Sequence, residues 1–114
     1  MADMQEILQV LRAAAEGTRL RLLVLCAEGE LTVSELTQIT GQSQPRISRH
    51  LKLLVEGGLL DRFREGTHAY YKLSESGPWT SIVQKIVEAV PAADDMVASD
   101  LSRLNAVKKE RARR

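Results

Sequence analysis

The sequence predicts a mainly α-helical domain carrying one β-hairpin, in the order α-α-α-α-β-β-α-α. Three observations predict it. Apolar residues recur at helical spacing up to residue 55 and again from residue 79 onward. Between these stretches, residues 59–73 alternate around a glycine, as the two arms of a hairpin do. The 114 residues suit one small domain, and with 44% apolar but only 4% aromatic residues its core must be aliphatic.

Residues 3–15 form the first helix, with Met4, Ile7, Leu8, Leu11 and Ala14/Ala15 on one stripe. Asp3 and Glu6 suit its N-terminus, where the helix dipole favours negative charge. Gly17-Thr18 breaks it and starts a second helix, Arg19 to Ala27, apolar nearly all round (Leu20, Leu22, Leu23, Val24, Leu25) and therefore the central buried one. Cys26, the single cysteine, lies in this run as a small hydrophobe and allows no intrachain disulfide. Thr32-Val33-Ser34-Glu35 has the form of a capping box and begins a third helix, with Val33, Leu36 and Ile39 inward. Thr40-Gly41-Gln42 is a short turn.

The fourth helix, within Gly41 to Gly58, organises the rest. Ser43 is placed to cap it with its hydroxyl, and Pro45 falls in the first turn, where a missing N–H costs little. Gly57 and Gly58 end it by tolerating a left-handed residue. Ile47, Leu51, Leu54 and Val55 form its apolar face. The opposite face carries Gln44, Arg46, Ser48, Arg49 and Lys52, three cations and no acid. An ordinary solvated face mixes signs; this one suits phosphates and base edges. Two short helices joined by a tight turn, the second basic outward, make a helix-turn-helix.

Leu59–Arg64 and His68–Leu73 then read as strands around Glu65-Gly66-Thr67, with Ala69, Tyr71 and Leu73 inward and His68, Tyr70 and Lys72 outward. Arg62 and Arg64 make this hairpin a basic wing, so the fold class is a winged helix-turn-helix. Ser76-Gly77-Pro78 opens a fifth helix with Trp79, Ile82, Val83, Ile86 and Val87 apolar, up to Pro91. A sixth runs from about Ala92 onward with Met96, Val97, Leu101, Leu104 and Val107 as its stripe.

Net charge is only +1, but it is unevenly placed. Residues 41–72 hold six cations against three acids, and residues 103–114 hold six against one. Residues 1–40 and 73–102 sum to −3 and −4. Such asymmetry points to nucleic acid more than the total does. No nucleophile–base pair, Gly-rich phosphate loop or metal cluster is present, so an enzyme is not expected. No signal-peptide pattern opens the chain and no apolar run is long enough for a bilayer; the expectation is a cytoplasmic protein without membrane contact or cofactor.

The stretch GTRLRLLVLCAEGELTVSELTQITGQSQPRISRHLKLLVEGGLLDRFREGTHAYYKL resembles the ArsR/SmtB family of bacterial winged helix-turn-helix repressors. The match covers about half the chain. It rests on the TRLRLL start of the second helix, SRHLKLL followed by GGLL, and the REGTHAYYKL wing. The resemblance implies a dimeric repressor of double-stranded DNA whose affinity falls on effector binding. It places Gln44, Pro45, Arg46, Ser48, Arg49 and His50 on the reading helix, with Lys52 on the backbone side, and Arg62, Arg64, Gly66 and Thr67 on the wing, next to His68. His50 could touch a phosphate or brace the helix-turn-helix, and bracing is the favoured reading. The family's Leu-Cys-x-Cys-x-Leu arsenic frame here reads Leu31-Thr32-Val33-Ser34-Glu35-Leu36, with hydroxyls for thiols. Hydroxyls are poor ligands for soft ions, so metal and dithiol sensing are not expected.

The first helix and the last two carry more apolar surface than one small core can bury. The economical answer is a homodimer packed through Ile7, Leu8, Leu11, Ile82, Ile86, Val97 and Leu101. Residues 1–92 are expected to form the DNA-binding domain with its dimerisation helices. Residues 93–114 are expected to be a C-terminal helix with a basic, solvated tail. DLSRLNAVKKERARR resembles the segment that, in one branch, joins the repressor to an S-adenosylmethionine-dependent methyltransferase domain. A dimerising regulatory domain of such a protein is the alternative reading. A small-molecule effector is open and unidentified.

Overall fold

A computed structural model describes residues 3–113. Its elements are α1 (Met4–Ala14), α2 (Gly17–Ala27), β1 (Leu31–Thr32), α3 (Val33–Thr40), α4 (Gln44–Glu56), β2 (Leu60–Glu65), β3 (His68–Leu73), α5 (Thr80–Ala89) and α6 (Asp95–Ala112). The six helices and the hairpin lie where the residue spacing places them. The addition is β1, which pairs Leu31 with Tyr71 and Thr32 with Tyr70 and makes an antiparallel sheet of order β1-β3-β2. Two residues are too few to show an alternation.

Local chemistry explains the helix starts. The Asp3 carboxylate accepts the Glu6 N–H at 3.0 Å and caps α1. Glu16 caps α2 by accepting the Arg19 N–H at 2.8 Å, so α2 begins two residues earlier than expected. The capping box of α3 is complete: the Thr32 hydroxyl accepts the Glu35 N–H, and the Glu35 carboxylate accepts the Thr32 N–H. α4 differs from expectation. Ser43 stands at its N-cap but its hydroxyl makes no capping bond. Pro45, in the first turn, has itself removed one of the N–H groups that such a cap would satisfy.

The far end of α4 also divides its labour differently. Gly58 is the left-handed residue (φ 82), while Gly57 stays right-handed (φ −78). Gly57 is needed for close approach instead. A Cβ there would lie 2.9 Å from the Leu59 side chain, 3.3 Å from the Leu53 carbonyl and 3.6 Å from the Cβ of Ala13. In the hairpin, Glu65 pairs with His68, leaving Gly66-Thr67 as a two-residue turn with Gly66 at φ 66. Glycine at the first central position is what the II′ hairpin turn asks for.

α2 is the central helix, with Leu22, Leu23 and Leu25 fully buried. Val10 and Ala13 of α1, Leu36 and Ile39 of α3, Ile47, Leu51 and Leu54 of α4, Leu59, Leu60 and Tyr71 of the hairpin region, and Val83 of α5 close around it. Cys26 belongs to this core, and burial pushes its thiol up to about 12, which leaves it a protonated hydrophobe. The buried face of α1 is Val10–Ala13–Ala14 rather than the expected stripe. Met4 is 72% and Leu11 43% exposed, whereas Ile7 packs on the core.

α6 packs on the body of the protein: Leu104 and Val107 join the same core as α2. The basic tail is also docked, not solvated along its length. Lys108 donates to the Glu28 carbonyl at 2.9 Å, and Arg111 bonds the Glu35 carboxylate and the Glu30 carbonyl. Arg114, the last tail cation, lies outside the described residues. Val97, expected at the dimer seam, is only 6% exposed within the protomer. The helix is held by Asp100, which accepts two bonds from Arg21 (2.7 and 2.9 Å) and one from Arg103 (3.3 Å). No helix among the described residues is long and apolar enough to cross a membrane.

Two outcomes follow from these clamps. Replacing Asp100 by Ala strands the half-buried Arg21 guanidinium and should cost about 3 kcal/mol in chemical denaturation; a loss below about 0.5 kcal/mol would show that the pair holds nothing. The second concerns Glu35. Burial alone would raise its carboxyl, but hydrogen bonds from Arg111 and Thr32 and the Arg111 charge outweigh it and hold the pKa below the ordinary 4.5. A carboxyl depressed on folding stabilises above its unfolded pKa, and that stability is lost as pH falls through the folded value. Glu35→Gln should therefore flatten the decline of stability below pH 4.5, read from denaturation curves across acid pH. An unchanged decline would remove Glu35 from the account.

Candidate nucleic-acid interface

The helix-turn-helix is α3, the three-residue turn Gly41–Ser43, and α4. Ile47, Leu51 and Leu54 are fully buried, which fixes the rotation of α4 about its axis. That rotation turns Gln44, Pro45, Arg46, Arg49 and Lys52 to solvent and leaves Ser48 half-buried. Gln44 and Ser48 touch across one helical turn (3.5 Å). Leu53 is 47% exposed.

Most cations elsewhere are committed within the chain. Arg21, Lys72, Lys85, Arg103, Arg111 and Arg113 pair with carboxylates. Arg19 and Lys108 donate to carbonyls. By contrast, Arg46, Arg49 and Lys52 of α4 and the exposed Arg62 and Arg64 of β2 have no acidic partner among the described residues. Lys109 and Arg12 share that freedom but stand apart in the chain. The concentration of unpaired positive charge on α4 and β2 can receive an anionic polymer without first breaking internal ion pairs.

His50 is different from its neighbours. Its Nδ1 lies 3.2 Å from Arg19 Nη1 and 3.9 Å from the Glu16 carboxylate. Arg19 in turn donates to the Ala13 carbonyl at 2.7 Å and the Arg12 carbonyl at 3.3 Å. His50 thus ties α4 to the α1–α2 corner. Burial is the first cause that holds its pKa below the ordinary 6.5; Glu16 opposes this, and Arg19, Arg46 and Arg49 add to it. The imidazole is neutral near pH 7, and Nδ1 is free to accept from Arg19.

A second tie was not legible in the residue pattern. Gln42 in the turn donates to the buried Thr18 hydroxyl (3.0 Å) and accepts from Arg46 Nε (2.8 Å), so Arg46 is oriented from α2 through one side chain. Only a tertiary fold brings residues 18, 42 and 46 together.

The wing exposes Arg62, Arg64, Gly66, Thr67 and His68. Its other side is not open as expected. Tyr70 stacks on Phe63 at 5.7 Å, Lys72 lies 5.2 Å from the Phe63 ring centre and Arg111 5.8 Å from that of Tyr70. The end of α6 therefore grips the wing at Tyr70.

Residues 16–62 match the family described as "Bacterial regulatory protein, arsR family". The chain is 42% identical over 106 residues to the arsenic resistance transcriptional regulator ArsR1 of Pseudomonas putida, covering 89% of this chain and 81% of that one. It is 44% identical over 72 residues to the arsenical resistance operon repressor of Escherichia coli, covering 62% of each. Among solved structures, the homodimeric winged helix-turn-helix DNA-binding domain Mb0332 of Mycobacterium bovis, a possible ArsR-family regulator, superposes with a TM-score of 0.65 at 30% identity, over 77% of this chain and 82% of that one. The transcriptional repressor BigR of Xylella fastidiosa gives 0.63 at 30% identity, over 75% and 82%. These relatives are described as regulators and repressors and lend no support to a methyltransferase link. The free cations on a buried-core helix and hairpin, the fold and these likenesses agree: the chain belongs to the ArsR family of winged helix-turn-helix, DNA-binding transcriptional regulators.

Proposed function

We propose that the chain is a homodimeric repressor that reads an inverted repeat, with α4 in the major groove and the Arg62/Arg64 hairpin on the flanking backbone. The observation that carries this reading is the unpaired cation set on α4 and β2. In the reading helix, Gln44, Pro45, Arg46, Ser48 and Arg49 lie toward base edges, and Lys52 lies toward phosphate. Gly66, Thr67 and His68 carry the wing tip along the backbone. His50 supports α4 rather than binding DNA through its charge. A two-fold dimer supplies the second reading helix that specificity needs. The exposed Leu11 and Ile82, with the half-buried Ile7, Leu8, Ile86 and Leu101, are the apolar surface proposed for it. The role is binding rather than catalysis, and its place is the bacterial cytoplasm, where operator DNA is.

The arsenic response named for these relatives does not extend to this chain through the family's thiol frame. Thr32 and Ser34 occupy that frame, Thr32 is engaged in a helix cap, and the lone Cys26 is buried.

The deciding experiment is a titration against the DNA upstream of its own gene at two salt concentrations. Specific binding should exceed that to random duplex and fall steeply with salt; equal, weak binding to both would overturn the repressor reading. Arg49→Ala should cost about 1–3 kcal/mol and relax base preference at one position. Lys52→Ala should weaken all sequences alike and flatten the salt slope by about one unit. Mutants that bind like the wild type would show that another surface reads the DNA.

A further inference from the structure

A cleft of about 760 Å³ opens between the start of α2, the end of α5 and the start of α6. That volume lies within the range of small-molecule sites, roughly 300–1,000 Å³. Leu20, Ile86, Val90, Met96 and Val97 give it aliphatic walls.

Three polar residues of the α2 region also line it, and two of them, Thr18 and Arg21, are hydrogen-bonded to the helix-turn-helix. Thr18 reaches Arg46 of the reading helix through Gln42, by bonds of 3.0 and 2.8 Å. Glu16 lies 3.9 Å from His50 on α4. Arg21 spans from the cleft to Asp100 and, at 3.5 Å, to the carbonyl of Thr40, the last residue of α3. The Thr18 and Arg21 bonds place the cleft wall and the DNA-reading face in one bonded unit.

Charge selects the occupant. Glu16 and Asp94 both line the cleft, and each spends one carboxylate oxygen on a helix cap. The second oxygen of each has no bond among the described residues. Arg21, the one cation of the lining, is held in a fork by Asp100 and is not free for an anion. We propose that the cleft is an effector site for an amphiphilic organic cation, an amine with an aryl or branched alkyl body. Its ammonium meets Glu16 and Asp94, its body fills the aliphatic wall, and its occupancy weakens operator binding through the Thr18–Gln42–Arg46 link. The regulatory half rests on the proposed reading role of α4.

The test uses the full chain and three matched compounds: 4-phenylbutylamine, 4-phenylbutanol and 4-phenylbutyrate. NMR follows the methyl groups of Leu20, Ile86 and Val90, the Gln42 side-chain amide and the Arg46 Nε–H, while operator affinity is measured in parallel. The amine should move all of these signals, bind at least about tenfold more tightly than the carboxylate, and raise the operator Kd about tenfold. Ala89→Trp, which fills the cleft from its exposed edge, should abolish amine binding and leave the ligand-free operator affinity unchanged. Thr18→Val should keep amine binding and reduce its effect on DNA. The proposal falls if no compound moves the cleft methyls, or if the carboxylate binds as well as the amine. It also falls if cleft binding leaves Gln42, Arg46 and operator affinity unmoved. Dissociation of the dimer by Ala89→Trp would assign the cleft to the partner subunit and overturn it too. A ligand-free chain that fails to bind its operator would instead sink the repressor reading, and the NMR arm would still decide whether the cleft takes the amine and signals to α4.

Discussion

The structure depends on one buried carboxylate. Asp100 has a side chain only 3% exposed, and an unpaired charge at such a depth would cost several kcal/mol. It is tolerated because Arg21 offers a two-point fork and Arg103 a third contact. The same two arginines then reach past Asp100 to the end of α3. Arg103 donates to the Ile39 carbonyl at 2.5 Å and Arg21 approaches that of Thr40. The last carbonyls of a helix have no partner within it, so these contacts satisfy the end of α3, which the left-handed Gly41 closes. The turn to α4 begins at the next residue, Gly41. The angle at which the reading helix leaves the core is thus tied to a helix some sixty residues further along the chain.

Charge is sorted by the same logic. A net charge of +1 is poor material for a protein that must hold a polyanion. The fold resolves this by committing most of its other cations internally. Near the end of α6, Arg111 pairs with the Glu35 carboxylate, and Arg111 and Lys108 donate to the Glu30 and Glu28 carbonyls. Arg46, Arg49, Lys52, Arg62 and Arg64 have no acidic partner among the described residues. What the DNA would meet is the local surplus, not the sum.

Much of this was legible in the residues because it follows from local rules. The apolar positions of α4 and the capping box at Thr32 depend on neighbours three or four places away, and the Gly66 turn on adjacent residues. What was not legible involves distant partners. Residues 103–114 read as a solvated tail because nothing in their own pattern names Glu35 as a partner seventy-six positions away. A stripe such as that of Val97 says that a face is buried but not by which neighbour. Ser43 read as a side-chain cap because its type and position fit, although Pro45 two residues on has removed one of the N–H groups such a cap would satisfy. β1 escaped because two residues have no period. The Thr18–Gln42–Arg46 chain escaped for the same reason as the tail, since each member alone is an ordinary surface or helix-start residue.

The junction of β1 and α3 shows how these pieces bear on regulation. Where the resemblance places a pair of thiols able to exchange a metal for protons, this chain has a hydroxyl engaged in a helix cap. Beside it, Glu35 holds both Thr32 and Arg111, and Arg111 in turn lies over Tyr70 of the wing. Such a clamp is continuously made at neutral pH, because a carboxylate and a guanidinium are both charged there. It can hold α3, the wing and α6 in register. The ties from α2 to Gln42, Arg46 and His50, by contrast, are single hydrogen bonds. Contacts of that strength are more easily exchanged than the Glu35–Arg111 clamp.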